Sequence, residues 1–124
     1  ETLEYIHLHK TGALLRACVL CGALIGGASD ALLEALRVYA RGIGLAFQII
    51  DDILDVTASS EVLGKTAGKD LTADKTTYPK LLGLEESRQR ADALVAEAKT
   101  ALEPWQSNAA PLLALADYIT GRDR

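Results

Sequence analysis

At 124 residues the chain is the size of one ordinary domain, enough to bury a sizeable core but too short for a multidomain enzyme. Its formal net charge of −4, with 24% charged residues, gives no reason to expect nucleic acid or an anionic membrane as a partner. Twenty-one Leu and 20 Ala against five Val and seven Ile point to an all-α protein, and a chain that starts at Glu1 and lacks Met reads as a piece of something larger.

The first predicted helix covers residues 2–25 and ends at Gly26 and Gly27. Its longest apolar run, residues 17–28, has 12 residues after Arg16. A bilayer span takes about 20, so the run is read as a core helix and not a membrane anchor. No basic N-terminal region with a cleavage site is found. Cys18 and Cys21 fall inside this run. A CxxC pair can be redox-active or half a zinc site, but no second pair completes four ligands and the flanks are Val, Leu and Ala. The two are therefore read as buried free thiols, which fits a reducing, cytoplasmic location.

Ser29 or Asp30 can cap a second helix over residues 31–57, with Leu32, Leu36, Ile43, Phe47, Ile50 and Leu54 at helical spacings. Ser59, Ser60 and Gly64 are read as its stop. Residues 64–79, GKTAGKDLTADKTTYP, hold almost no large apolar side chain and read as a loop. Helical text returns as a short turn at 80–84, a long helix at 85–102, a break at 104–108 and a last helix at 111–119. Pro111 suits the first turn of that helix, where a missing N–H costs nothing. Nothing in the chain reads as a repeat or a domain linker, so residues 1–124 are taken as part of one all-α domain.

The chemistry concentrates in Phe47-Gln48-Ile49-Ile50-Asp51-Asp52-Ile53-Leu54-Asp55. On a helix, Gln48, Asp51, Asp52 and Asp55 fall at i, i+3, i+4 and i+7 and form one polar stripe flanked by Ile49, Ile50, Ile53 and Leu54. Like charges at this spacing repel, and carboxylates beside a core are costly to desolvate unless something positive meets them. A solvated face would interleave Lys or Glu; this stripe does not. Mg²⁺ is the natural counter-charge, because it takes one or two carboxylates and completes its octahedron with water and phosphate oxygens.

The following loop supplies the opposite charge. Lys65, Lys69, Lys75 and Lys80 lie within sixteen residues, and Gly64 and Gly68 let the backbone turn close to a ligand. A diphosphate, with about three negative charges, is commonly held by Mg²⁺ together with ammonium groups. A Lys-rich loop alone is usually just solvated; directly after the stripe, it reads as the other half of a Mg-diphosphate site. His7-Leu8-His9-Lys10-Thr11 adds a third cationic segment, from which His7 and His9 are left out as candidates, since single histidines serve most often at surfaces or in cores.

These three segments, in this order, resemble a family. FQIIDDILD at 47–55 is similar to the second aspartate-rich motif of the trans-type isoprenyl diphosphate synthases, GKTAGKDLTADKTTYP at 64–79 to the lysine loop after it, and HKTGALL at 9–15 to the upstream lysine-threonine motif. The resemblance extends over essentially the whole chain, through LADYITGRDR, and is nearest to the bacterial farnesyl diphosphate synthases. It implies an all-α helical bundle around a central cavity, in which an allylic diphosphate ionises with Mg²⁺ and the double bond of isopentenyl diphosphate attacks the cation. By position, Asp51 and Asp55 would sit at the metal with Asp52 supporting them, and Lys10, Lys65 and Lys75 would hold the leaving diphosphate. Thr11 and Gln48 would turn oxygen dipoles toward the developing cation, Phe47 would line the isopentenyl pocket, and Asp70 would order the loop.

The family's first aspartate-rich motif and its isopentenyl-binding lysine-arginine-histidine set are not in this sequence, and Leu8 stands where many relatives carry a polar or basic residue. The chain therefore resembles the C-terminal part of such an enzyme, with no expected activity of its own, and the full-length enzyme is expected to be a homodimer. Farnesyl diphosphate is the expected product, with a geranylgeranyl diphosphate synthase as the alternative. A non-catalytic partner subunit would have no physical reason to keep three mutually repelling aspartates, and a terpene cyclase would lack the lysine loop.

Overall fold

A computed structural model describes residues 2–63 and 76–122, with the backbone alone for 59–63. Among the described residues six α-helices follow one another: α1 (Thr2–His9), α2 (Thr11–Ile25), α3 (Asp30–Leu63), α4 (Tyr78–Leu82), α5 (Leu84–Ala101) and α6 (Gln106–Thr120), with one 3-10 turn at Glu103–Trp105. Among the described residues there is no strand, as the Leu and Ala content predicts.

α3 is the axis of the fold. It packs most extensively on α5, then on α2, and also meets α1, α4 and α6. One side of it, with Leu36, Tyr39, Ile43 and Ile50, joins Ala91, Leu94, Val95, Ala98 and Leu102 of α5 in a single core. The Gly-Ile-Gly at 42–44 allows neighbours to approach from both sides. A Cβ on Gly42 would lie 2.9 Å from the Leu94 carbonyl oxygen, and one on Gly44 would lie 3.1 Å from the Cα of Gly12.

Several boundaries differ from the sequence-based reading. The first predicted helix is two, α1 and α2, bent by 45° at Lys10. Gly26 and Gly27 end α2 as expected, with Gly27 at φ +71° and the Ala28 N–H bonded to the Ala23 carbonyl at 2.9 Å. Of the two candidate caps for α3, Ser29 serves: its Oγ accepts the Leu32 N–H at 3.3 Å. Ser59 and Ser60 do not stop α3, which runs on to Leu63. α6 starts at Gln106, so Pro111 sits inside it and not in its first turn. The bond this proline forfeits is to the carbonyl of exposed Ser107, which water reaches, so the helix continues through it.

The two cysteines are exposed, not buried. One side of α2, with Val19, Leu20 and Ala23, packs on the core, while Leu14, Leu24 and Ile25 on the rest of the helix face outward, 65%, 62% and 90% exposed. Among the described residues no single helix is long and apolar enough to cross a membrane; α1 and α2 pass that test only as a bent pair.

Candidate active site

The middle of α3 carries the carboxylates. Gln48, Asp51, Asp52 and Asp55 line one open cavity of about 490 Å³, together with Lys10 and Thr11 from the α1–α2 bend, Leu54, and Arg122 just after α6. The helical stripe read from the sequence thus faces the segment bearing Lys10 and Thr11. A helix break is what places them there: Lys10 has non-helical backbone angles, its N–H bonded to the Ile6 carbonyl at 3.0 Å, and Thr11 begins α2.

The carboxylates do not share one environment. Asp55 is exposed, and Asp51 is half-buried. Asp51 accepts a hydrogen bond from Arg122 through Oδ1 and a long 3.5 Å one from Gln48 Nε2 through Oδ2. Asp52 is only 2% exposed. Its Oδ2 accepts from His7 Nε2 at 3.2 Å and from the Tyr78 backbone N–H at 3.2 Å. His7 is buried too, and its ring stacks on that of Tyr78 with centroids 5.7 Å apart. Burial, with the charges of Glu4 and Asp52 adding and that of Arg90 opposing, pushes the Tyr78 phenol above its ordinary value.

Phe47 is half-buried under the guanidinium of Arg122, 4.4 Å from its ring centroid. A second, smaller cavity of about 260 Å³ lies between α1 and α3, lined mainly by Thr2, Leu3, Ile6, His7 and Thr76, with Lys10 and Gln48 bordering both spaces. Lys65, Lys69, Asp70 and Lys75 lie outside the described residues. Among the described residues no three His, Cys, Asp or Glu side chains converge into a ready-made metal cage. The donor set still suits Mg²⁺, because Asp51 and Asp55 offer hard carboxylate oxygens to an open cavity, and that ion takes its remaining oxygens from water and phosphate.

Two residues here were not legible as site residues. His7 meets a partner 45 positions away, and its one sequence signal was its place a helical turn before Lys10. Arg122 meets Asp51 across 71 positions, with no spacing pattern to reveal it.

Residues 1–108 match the polyprenyl synthetase family. The chain belongs to that family. It is 63% identical over 124 residues to a chloroplastic geranylgeranyl pyrophosphate synthase of Capsicum annuum, a match covering 99% of this chain and 34% of that protein. It is 60% identical over 121 residues to a dimethylallyltranstransferase of Fischerella ambigua (strain UTEX 1903), covering 98% and 35%. Among solved structures it superposes on an FPP/GFPP synthase from Zymomonas mobilis with a TM-score of 0.79 and 37% identity, over 95% of this chain and 37% of that one. The all-α isoprenyl synthase fold expected from the motifs is therefore the fold of this polyprenyl synthetase chain. The chain spans about a third of the length of the curated relatives it matches. The cytoplasmic location expected from two reduced thiols is overturned: the Capsicum annuum relative is chloroplastic, and others are named as chloroplastic or mitochondrial. Free thiols report a reducing environment, which is not unique to one compartment.

Proposed function

We infer that this chain supplies the second carboxylate half-site of a prenyltransferase that joins isopentenyl diphosphate to an allylic diphosphate. The observation that carries the reading is the single cavity in which Asp51 and Asp55 face Lys10 and Thr11. Asp51 and Asp55 would hold Mg²⁺, which when bound supplies positive charge to the leaving diphosphate. Lys10, with Lys65 and Lys75, would grip the same diphosphate, so that the allylic C–O bond breaks and its electron pair leaves on the diphosphate oxygen. Thr11 and Gln48 border the space where the cation develops and would stabilise it with fixed dipoles. Phe47 would contribute to the pocket for isopentenyl diphosphate, whose double bond would then attack the cation, the proton lost from the condensed cation passing to the released diphosphate.

The names of the relatives support geranylgeranyl diphosphate as the product ahead of farnesyl diphosphate. A homodimer of the full-length enzyme belongs to the proposal through the family resemblance. In the full-length enzyme, Asp51→Ala should lower turnover by several orders of magnitude with unchanged helix content by circular dichroism; near-normal turnover would remove the metal role. Incubation with Mg²⁺, isopentenyl diphosphate and dimethylallyl diphosphate, followed by chromatography of the products, decides chain length. Accumulation of farnesyl diphosphate alone would reverse the product assignment.

A further inference from the structure

The aspartate stripe is not used uniformly. A carboxylate as buried as Asp52 is costly unless hydrogen bonds meet it. Two donors do so from different parts of the chain: the ring of His7 in α1, and the backbone of Tyr78 at the start of α4. A carboxylate only accepts, so His7 carries its bonded proton on Nε2. Three segments are thereby tied at one oxygen: α1, whose next turn delivers Lys10; α3, with Asp51 and Asp55 on either side of Asp52; and Thr76–Thr77–Tyr78, where the chain emerges from the lysine-rich stretch. Gln48, Lys10 and His7 line the cavity between α1 and α3, so His7 shares that space with the two residues that also border the larger one.

We propose that His7 is a positioning residue of the diphosphate site, acting through Asp52, and that Asp52 serves as its brace while Asp51 and Asp55 face the ligand. The bond draws one of three like charges toward protein donors, which lowers the mutual repulsion of the stripe. It also fixes the direction from which Lys10 approaches that stripe. This inference rests on the proposed prenyltransferase reading and names a residue outside its diphosphate-binding set.

The test uses the full-length enzyme and four variants: His7→Leu, His7→Gln, Asp52→Asn and Asp51→Asn. Loss of a hydrogen-bond partner around a metal site typically costs 10–100-fold, so His7→Leu should raise the Mg²⁺ concentration for half-maximal activity and the allylic KM by about 10–100-fold and weaken binding of inorganic diphosphate with Mg²⁺ to the resting enzyme in calorimetry by a similar factor, with the isopentenyl KM within about twofold. His7→Gln, whose amide N–H reaches the region of Nε2, should recover most of that loss. Asp52→Asn keeps an oxygen that accepts from both donors and should stay within about tenfold of wild type, whereas Asp51→Asn should fall far lower.

Unchanged Mg²⁺ dependence in His7→Leu, or a His7→Gln no better than His7→Leu, overturns the proposal. So does an Asp52→Asn as damaging as Asp51→Asn, which would make Asp52 a ligand. If His7→Leu fails to fold, His7→Gln and Asp52→Asn still decide the matter against Asp51→Asn. Full activity in Asp51→Asn would instead sink the functional reading itself.

Discussion

Tyr39 is fully buried in the core, and its hydroxyl donates to the Leu112 carbonyl at 2.7 Å, tying α3 to α6. Burial pushes its phenol up to about 12. Tyr39→Phe keeps the ring and removes one bond, so it should cost about 1 kcal/mol of unfolding free energy near neutral pH. The sign of the pH dependence follows from the raised value. Below about pH 10 the tyrosine is neutral in both folded and unfolded chains, and its contribution is complete. Between about 10 and 12 the unfolded chain loses the proton while the folded one holds it, so the contribution falls as pH rises. Urea unfolding of both proteins at pH 8 and pH 11 should therefore show a smaller gap at pH 11; a gap that widens would mean the hydroxyl is not held neutral by burial. Gln48, Asp51 and Asp55 belong to one helix, so their spacing placed them on one face. The inward turn of Asp52 was not readable, because donors from α1 and α4 cause it.

At the scale of elements, α3 works because it is approached from two sides at nearly the same level. Gly42 faces α5 with the Leu94 carbonyl and the Ala98 Cβ, 2.9 and 3.0 Å from where a Cβ would stand, and neither α5 atom is a flexible side-chain end. Gly42→Ala should therefore force α5 outward and destabilise the protein by about 1–3 kcal/mol, read from the midpoint of denaturant unfolding. A neutral result would show that α5 slides without cost. Helix identity was legible from period and composition except at α4, whose first two residues were read as loop and the rest as a turn, and boundaries set by tertiary contact were not legible. The break at Lys10 carries no Gly or Pro of its own. It coincides with two long-range demands, His7 reaching Asp52 and Gly12 lying against Gly44, and local propensity registers neither. α3 likewise runs through Ser59 and Ser60, whose helix propensities are only mildly unfavourable and do not amount to a stop.

For the molecule as a whole, the outward side of α2 is the feature its own 124 residues leave unexplained. Leu14, Cys18, Cys21 and Ile25 fall at i, i+4, i+7 and i+11, an apolar stripe on an exposed face, with Leu24 beside it. The opposite side of the same helix is packed on the core, so after Arg16 α2 is apolar all round, the pattern of a helix buried on every side. The curated relatives are about three times as long, which leaves ample chain to cover such a face in a full-length protein. Two consequences can be measured. The 124-residue chain alone should self-associate in sedimentation velocity, and Leu14→Glu with Ile25→Glu should restore a monomer with a stability change within about 0.5 kcal/mol per site, as for exposed positions generally. In the full-length protein the same pair would place charge inside a packed interface and should abolish folding. Thiol labelling gives an independent reading: Cys18 and Cys21 should react rapidly in the isolated chain and slowly in the long one. If the glutamate pair is tolerated equally in both, and the thiols react equally in both, the face of α2 meets water in the full-length protein and its apolar stripe has no structural partner.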